Sequence, residues 1–152
     1  MALRSAYCKQ VFHFNFQART SRGAMRERSS WFVKLWDDAN PETFGIGECA
    51  PLPGLSIDDL PDYEDKLQEA LQSFCMVHEN ISTLYWQKVN QQISNQYPSI
   101  IFGIEAAVLD WQNGGQRQLF PNDFQQGKAL PINGLIWMAD MDLMLQQIAI
   151  KI

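Results

Sequence analysis

The stretch Phe44–Ser56, FGIGECAPLPGLS, limits the possible fold more than any other part of this 152-residue chain. Its first half, Thr43–Cys49, reads as a strand in which Gly45 and Gly47 mark a close backbone approach or a bulge. Its second half cannot continue that strand. Pro51 and Pro53 each fix φ and remove a backbone donor, and Gly54 supplies a turn, so the strand runs directly into a rigid apolar loop. Such a loop is poor at filling a core and good at presenting a surface.

Two segments upstream alternate with period two. Residues 5–18, SAYCKQVFHFNFQA, set Phe12, Phe14 and Phe16 against Val11, His13 and Asn15, which predicts a strand with the phenylalanine face buried. Ser30–Asp37 sets Trp31, Val33 and Leu35 against Phe32, Lys34 and Trp36. Arg19–Ser29 breaks the alternation and reads as a mobile connection, while Asp38–Pro41 (DANP) is strong turn chemistry. Three strands joined by local turns make an antiparallel meander.

Helical spacing follows. Ser56 and Asp59 form a weak capping-box pair, and Pro61 suits a first turn, so the lasting helix starts near it. Tyr63, Leu67, Ala70, Leu71 and Phe74 then make an apolar stripe. A second helix is expected over Ser82–Ser94. A third opens at Tyr97-Pro98-Ser99 and is stopped by Gly114-Gly115; its Gly103, Ala106 and Ala107 permit close packing. Ala129–Met138 is almost wholly apolar, as expected of a strand buried on both faces, and Asp140–Ile152 returns to helical spacing. A strand followed by a helix is half of a βαβ unit.

Composition excludes several classes. With 46% hydrophobic residues the chain can build a core, and a net charge of −5 argues against a nucleic-acid binder held by phosphate contacts. The basic cluster Arg19, Arg22, Arg26 and Arg28 reads as a solvated loop. Cys8, Cys49 and Cys75 are odd in number and widely spaced, and His13 and His78 are isolated, so neither disulfides nor a zinc site is indicated. With no signal peptide and no apolar run of about twenty residues, the expected location is cytoplasmic, away from membranes.

Taken together, GIGECAPLPGLS after two aromatic-rich strands, then IFGIEAAVLDW, then PINGLIWM, resembles the N-terminal part of the o-succinylbenzoate synthase family, in the muconate-lactonising branch of the enolase superfamily. The resemblance spans nearly the whole chain. It implies an α+β fold: a capping domain over residues 1–125, then the first strand and helix of a truncated TIM-type (β/α) barrel over 129–152. The function it implies for such an enzyme is a lyase of menaquinone biosynthesis. A lysine takes the proton α to the carboxylate of 2-succinyl-6-hydroxy-2,4-cyclohexadiene-1-carboxylate, a small-molecule substrate, and water is lost. Mg²⁺ stabilises the enediolate in that reaction. The lysines and the metal-binding carboxylates of the family lie on later barrel strands, so no residue of this chain is expected to be catalytic or to bind the metal, and the piece alone is expected to be inactive. Lys151 reads as a helix C-terminal cation and not as a catalytic lysine, while Glu48, Glu105 and Asp110 read as structural hydrogen-bonding groups.

What the resemblance gives this chain is a lid. Thr20–Arg28 and Pro51–Ser56 are its two loops, with Arg22, Gly23, Met25, Pro51, Leu52, Gly54 and Leu55 as candidate substrate-enclosing residues. Arg22 either meets a substrate carboxylate or solvates its loop. Leu135 and Trp137 share one face of the first barrel strand and are candidates to line the barrel. Two other readings stay open: part of a dipeptide epimerase or N-acylamino-acid racemase of the same superfamily, and a free-standing binding domain without catalysis. In the last case an exposed Ala129–Ile152 would favour a homo-oligomer.

Overall fold

A computed structural model describes residues 2–20, 23–77, 86–120 and 122–151. Strands β1 (Leu3–Thr20), β2 (Gly23–Asp37) and β3 (Asn40–Cys49) form one antiparallel sheet in that order. Helices α1 (Tyr63–Val77), α2 (Pro98–Gln112) and α3 (Met141–Lys151) follow, with a short 3-10 helix over Trp86–Gln91. The antiparallel meander and the first and third expected helices therefore form. No helix among the described residues is long and apolar enough to cross a membrane.

The choice of buried face follows from β3. Gly45 and Gly47 pair with Leu35 and Val33, so all four share one side of the sheet. A Cβ on Gly45 would strike the carbonyl oxygen of Ala107, and one on Gly47 that of Gly103, so α2 lies directly on the β3 backbone. Gly103 returns the fit, because a Cβ there would strike the Cys49 sulfur. With α2 fixed on that side, Trp31, Val33 and Leu35 face inward and pack with Leu67, Leu71, Phe74, Ile100, Ile104 and Val108. Each such side chain contributes about 1.5–3 kcal/mol by leaving water.

The same choice turns the phenylalanines outward. Leu3, Ser5, Tyr7 and Lys9 of β1 oppose the inward residues Asp37, Leu35, Val33 and Trp31 of β2, and residues at even positions point the other way. Phe12 is 42% exposed and Phe14 is half-buried, so the expected burial of that face is corrected. The side chain of Phe16 lies outside the described residues.

Arg19–Ser29 is also corrected. Its described residues, Arg19–Thr20 and Gly23–Ser29, are paired strand and not a loose connection: Ala18, Arg19 and Thr20 oppose Met25, Ala24 and Gly23. A register shift between His13 and Ala18 lets β1 resume pairing beyond an irregular stretch. The Ser82–Ser94 helix is described only from Trp86, where it is 3-10 and short; Val89 is buried there, and Gln92 N–H bonds the Val89 carbonyl at 3.0 Å.

Helix α2 is capped from a distance. Tyr97 at its N-cap offers no side-chain bond, but buried Asp58 accepts from Ser99 N–H at 2.8 Å and Ser99 Oγ at 2.6 Å. Gly114 and Gly115 adopt φ of 80° and 68° and end the helix as expected. The Asp110 side chain then closes the joint, accepting from Ile46 N–H of β3 at 2.9 Å and Arg117 N–H at 2.7 Å, with the Arg117 guanidinium also on it.

Ala129–Met138 departs from expectation. It joins no ladder apart from a bridge residue at Met138, and its side chains are exposed rather than buried on both faces. A two-face-buried strand needs neighbours on either side, and the described residues supply none. A Gly47→Ala substitution is expected to cost about 3 kcal/mol or more, because backbone on both sides must move. Urea unfolding of that variant against wild type measures it, and a loss below 1 kcal/mol (roughly the cost of an ordinary strand substitution) would contradict the packing described.

Candidate functional site

The β2–β3 ladder ends at the Trp31↔Cys49 pair. Beyond it β2 continues toward Gly23 against β1 alone, as a hairpin arm, while β3 passes through Ala50 into the proline loop. That loop is braced from within. Leu55 and Ser56 N–H donate to the Leu52 carbonyl at 3.0 Å each, Leu52 N–H to Ser56 Oγ at 2.9 Å, and Gly54 N–H to Asp59 Oδ2 at 2.7 Å. Ser56 and Asp59 thus hold the loop and do not cap a helix, which corrects the capping-box expectation. Gly54, at φ 67°, occupies a backbone region that favours glycine.

Arm and loop lie side by side. Gly23, Ala24 and Met25 face Leu52, Pro53, Gly54 and Leu55 across a cavity of about 190 Å³. Next to it an open groove of about 720 Å³ runs over the outward sheet face, walled by Phe12, Phe14, Phe32, Met25 and Leu52. Phe12 and Phe32 meet edge-to-face at 6.3 Å. Arg28 and Glu48 supply the groove's charged groups, and Trp137 reaches it from the segment after the linker. Arg28 Nη2 donates to Glu48 Oε1 at 2.7 Å, and Ser30 Oγ donates to the same oxygen at 2.7 Å.

The structure therefore brings Gly23, Met25, Leu52, Gly54 and Leu55 together. Pro51 is buried at the base of the loop, and Arg22 lies outside the described residues. Leu135 is separated from the groove and 61% exposed. Lys151 sits in the last turn of α3, its Nζ on the Leu135 carbonyl, and Gln147 one turn earlier bonds both backbone groups of Trp137, at 2.8 Å from N–H and 3.3 Å to the carbonyl. Two side chains one helix turn apart thus reach the backbone of residues two apart, Trp137 and Leu135.

Sequence reasoning missed Arg28, set aside as one of a solvated cluster, and the outward role of Phe12 and Phe32. Arg28 Nη2 also donates to Ser30 Oγ at 3.0 Å, and the guanidinium lies 6.0 Å from the Phe12 ring. No local pattern marked it: only strand pairing sets Arg28 opposite Phe12 and Glu48 opposite Phe32 on one face.

The carboxylates do not assemble a cation site. Glu48 serves Arg28 and Ser30, Asp58 serves Ser99, and Asp110 serves Ile46 and Arg117. Burial alone raises the Glu105 carboxyl above its usual range. Among the described residues no three Asp, Glu, His or Cys groups converge in a way that could hold a metal ion, so these residues do not fit Mg²⁺.

Comparison with known proteins shows the family and the fold. The sequence family described as "MenC, N-terminal domain" matches residues 15–111. An o-succinylbenzoate synthase from Desulfotalea psychrophila is 30% identical across 97% of this chain, which spans 45% of that protein's length. The crystal structure of MenC from the same organism superposes with a TM-score of 0.70 at 25% identity, over 99% of this chain and 46% of that one. An enolase family member from Agrobacterium tumefaciens, with homology to dipeptide epimerases, superposes at 0.61 with 19% identity, over 97% of this chain and 42% of its own, and shows the fold alone.

The inward side of the joint makes a separable prediction. Burial, first of all, pushes the Cys49 thiol from 9.0 up to about 12, and burial likewise raises the Tyr63 hydroxyl. A raised acid favours the fold in its protonated form. Its contribution is complete below pH 9.0 and is lost as pH climbs through about 12. Stability is expected to fall progressively in that window. At pH 8, below the ordinary thiol value of 9.0, iodoacetamide should label exposed Cys8 first and leave Cys49 untouched; equal labelling by mass spectrometry would contradict the burial.

Proposed function

Because this chain belongs to the family described as MenC, N-terminal domain, we propose that it forms the capping part of an o-succinylbenzoate synthase. The complete enzyme would dehydrate 2-succinyl-6-hydroxy-2,4-cyclohexadiene-1-carboxylate to 2-succinylbenzoate, a step of menaquinone biosynthesis, in the cytoplasm. Residues 1–125 are the cap, and 129–152 begin the barrel. The observation that carries the reading is the pairing of two separate chain segments, the hairpin arm at Gly23–Met25 and the proline loop at Leu52–Leu55, around one small cavity beside an apolar groove.

The role of these residues is enclosure. Met25, Leu52 and Leu55 supply apolar walls that keep water from the reacting centre, which strengthens every electrostatic interaction within it. Bound Mg²⁺ supplies charge stabilisation in such an enzyme, and the described residues of this chain take no part in holding it. Proton removal likewise falls, in such an enzyme, to residues at the ends of later barrel strands. The enolase family member with homology to dipeptide epimerases supports the fold alone, whereas the synthase relative shares sequence as well.

The open reading frame that contains these codons tests this directly. Its product is expected to dehydrate the cyclohexadiene carboxylate in the presence of Mg²⁺, and a Leu52→Glu variant to raise KM about tenfold or more, since a charge in an apolar wall weakens substrate enclosure. A frame that stops at Ile152, or a product that turns over only a dipeptide, would overturn the proposal.

A further inference from the structure

The sheet forks where the β2–β3 ladder ends, and three side chains stand at the fork. Ser30, with no exposed surface, and Arg28 lie on the arm just past the last ladder pair; Glu48 lies on β3 just before the proline loop. The three close a ring: Arg28 to Glu48 at 2.7 Å, Ser30 to Glu48 at 2.7 Å, and Arg28 to Ser30 at 3.0 Å. Glu48 thereby holds the arm at positions β3 backbone no longer reaches. The ion pair is only 30% and 39% exposed, and it is reinforced by a neutral donor, so it is unlike a freely solvated pair.

We propose that Arg28, Ser30 and Glu48 form a latch that fixes the angle between the hairpin arm and the proline loop, so that both halves of the lid move as one body. They are positioning residues, and the proposal rests on the enclosing role assigned to the two segments. Three facts converge on it. The arm beyond the fork is paired with β1 alone, so its own ladder does not set its angle to β3. The loop is stiffened internally, so a force applied at its root moves it whole. Met25 and Leu52, one from each segment, share both the small cavity and the groove that Arg28 and Glu48 line.

Hydrogen exchange on this chain reads the latch without any activity measurement. Glu48→Gln keeps shape and removes the charge. It is expected to accelerate amides of Gly23–Arg28 and of Gly54–Ser56 together, by about tenfold, as loss of a charge-assisted bond implies. Amides of Ile104–Val108 in α2 should keep their protection. Arg28→Met should give the same pattern, the double variant should add little to either, and Arg28→Lys should restore part of the protection. Ser30→Ala provides a milder variant if the others fold poorly. Acceleration of one segment alone, additive effects in the double variant, or uniform loss including α2 would each overturn the latch. A full-length product with no dehydratase activity would instead sink the functional reading and leave these exchange rates as they are.

Discussion

The contact between β3 and α2 is the constraint from which the rest follows. Gly45 and Gly47 remove the side chains that would otherwise separate helix from sheet, and Gly103 removes the one that would meet Cys49. Once the helix lies on that face, the alternation of β2 is resolved and Leu35 and Val33 become core. The phenylalanines of β1, Phe32 and Glu48 are then left on the opposite side. A groove with an aromatic wall and a charged floor is thus the obverse of a packing decision made by three glycines.

A second joint keeps that contact in place. Asp110 is buried at the end of α2 and spends its oxygens on Ile46 of β3 and on Arg117. Arg117 itself sits at φ 64°, a region that is costly for a non-glycine residue, with its guanidinium 4.6 Å from the Phe44 ring. Carboxylate and ring together hold the backbone where it would not rest by itself. Helix, sheet and the outgoing linker are locked at one point, so the proline loop at the other end of β3 starts from a fixed root.

Much of this was legible from local pattern. The stripe Tyr63, Leu67, Leu71 and Phe74 is buried as its spacing requires, and Gly114-Gly115 ends its helix. The close approach at Gly45 and Gly47 could be read from composition, but not which face it would bury; both faces of the strand over residues 5–18 carry apolar groups, and only the docking of α2 decides. The described arm, Gly23–Ser29, was missed because Gly23, Arg26, Arg28 and Ser29 carry weak strand preference and only pairing with β1 makes them strand. Asp58 caps a helix 41 residues away, and Arg28 meets Glu48 across 20, separations that no window of local sequence contains. For the candidate site, the two segments that the structure sets side by side were named from the sequence. Their root was not.

The bonds from Gln147 to both backbone groups of Trp137 have a consequence for the chain's solubility. A primary amide sets an acceptor oxygen beside a donor nitrogen, as a peptide unit does, so one side chain meets both backbone groups of Trp137 as a neighbouring strand would. Lys151 on the Leu135 carbonyl continues the row. The helix thus lends its own segment a provisional neighbour, one that an incoming main chain could displace bond for bond. An edge occupied in this way is less available for indiscriminate pairing with other molecules, which is the common fate of an apolar strand left open.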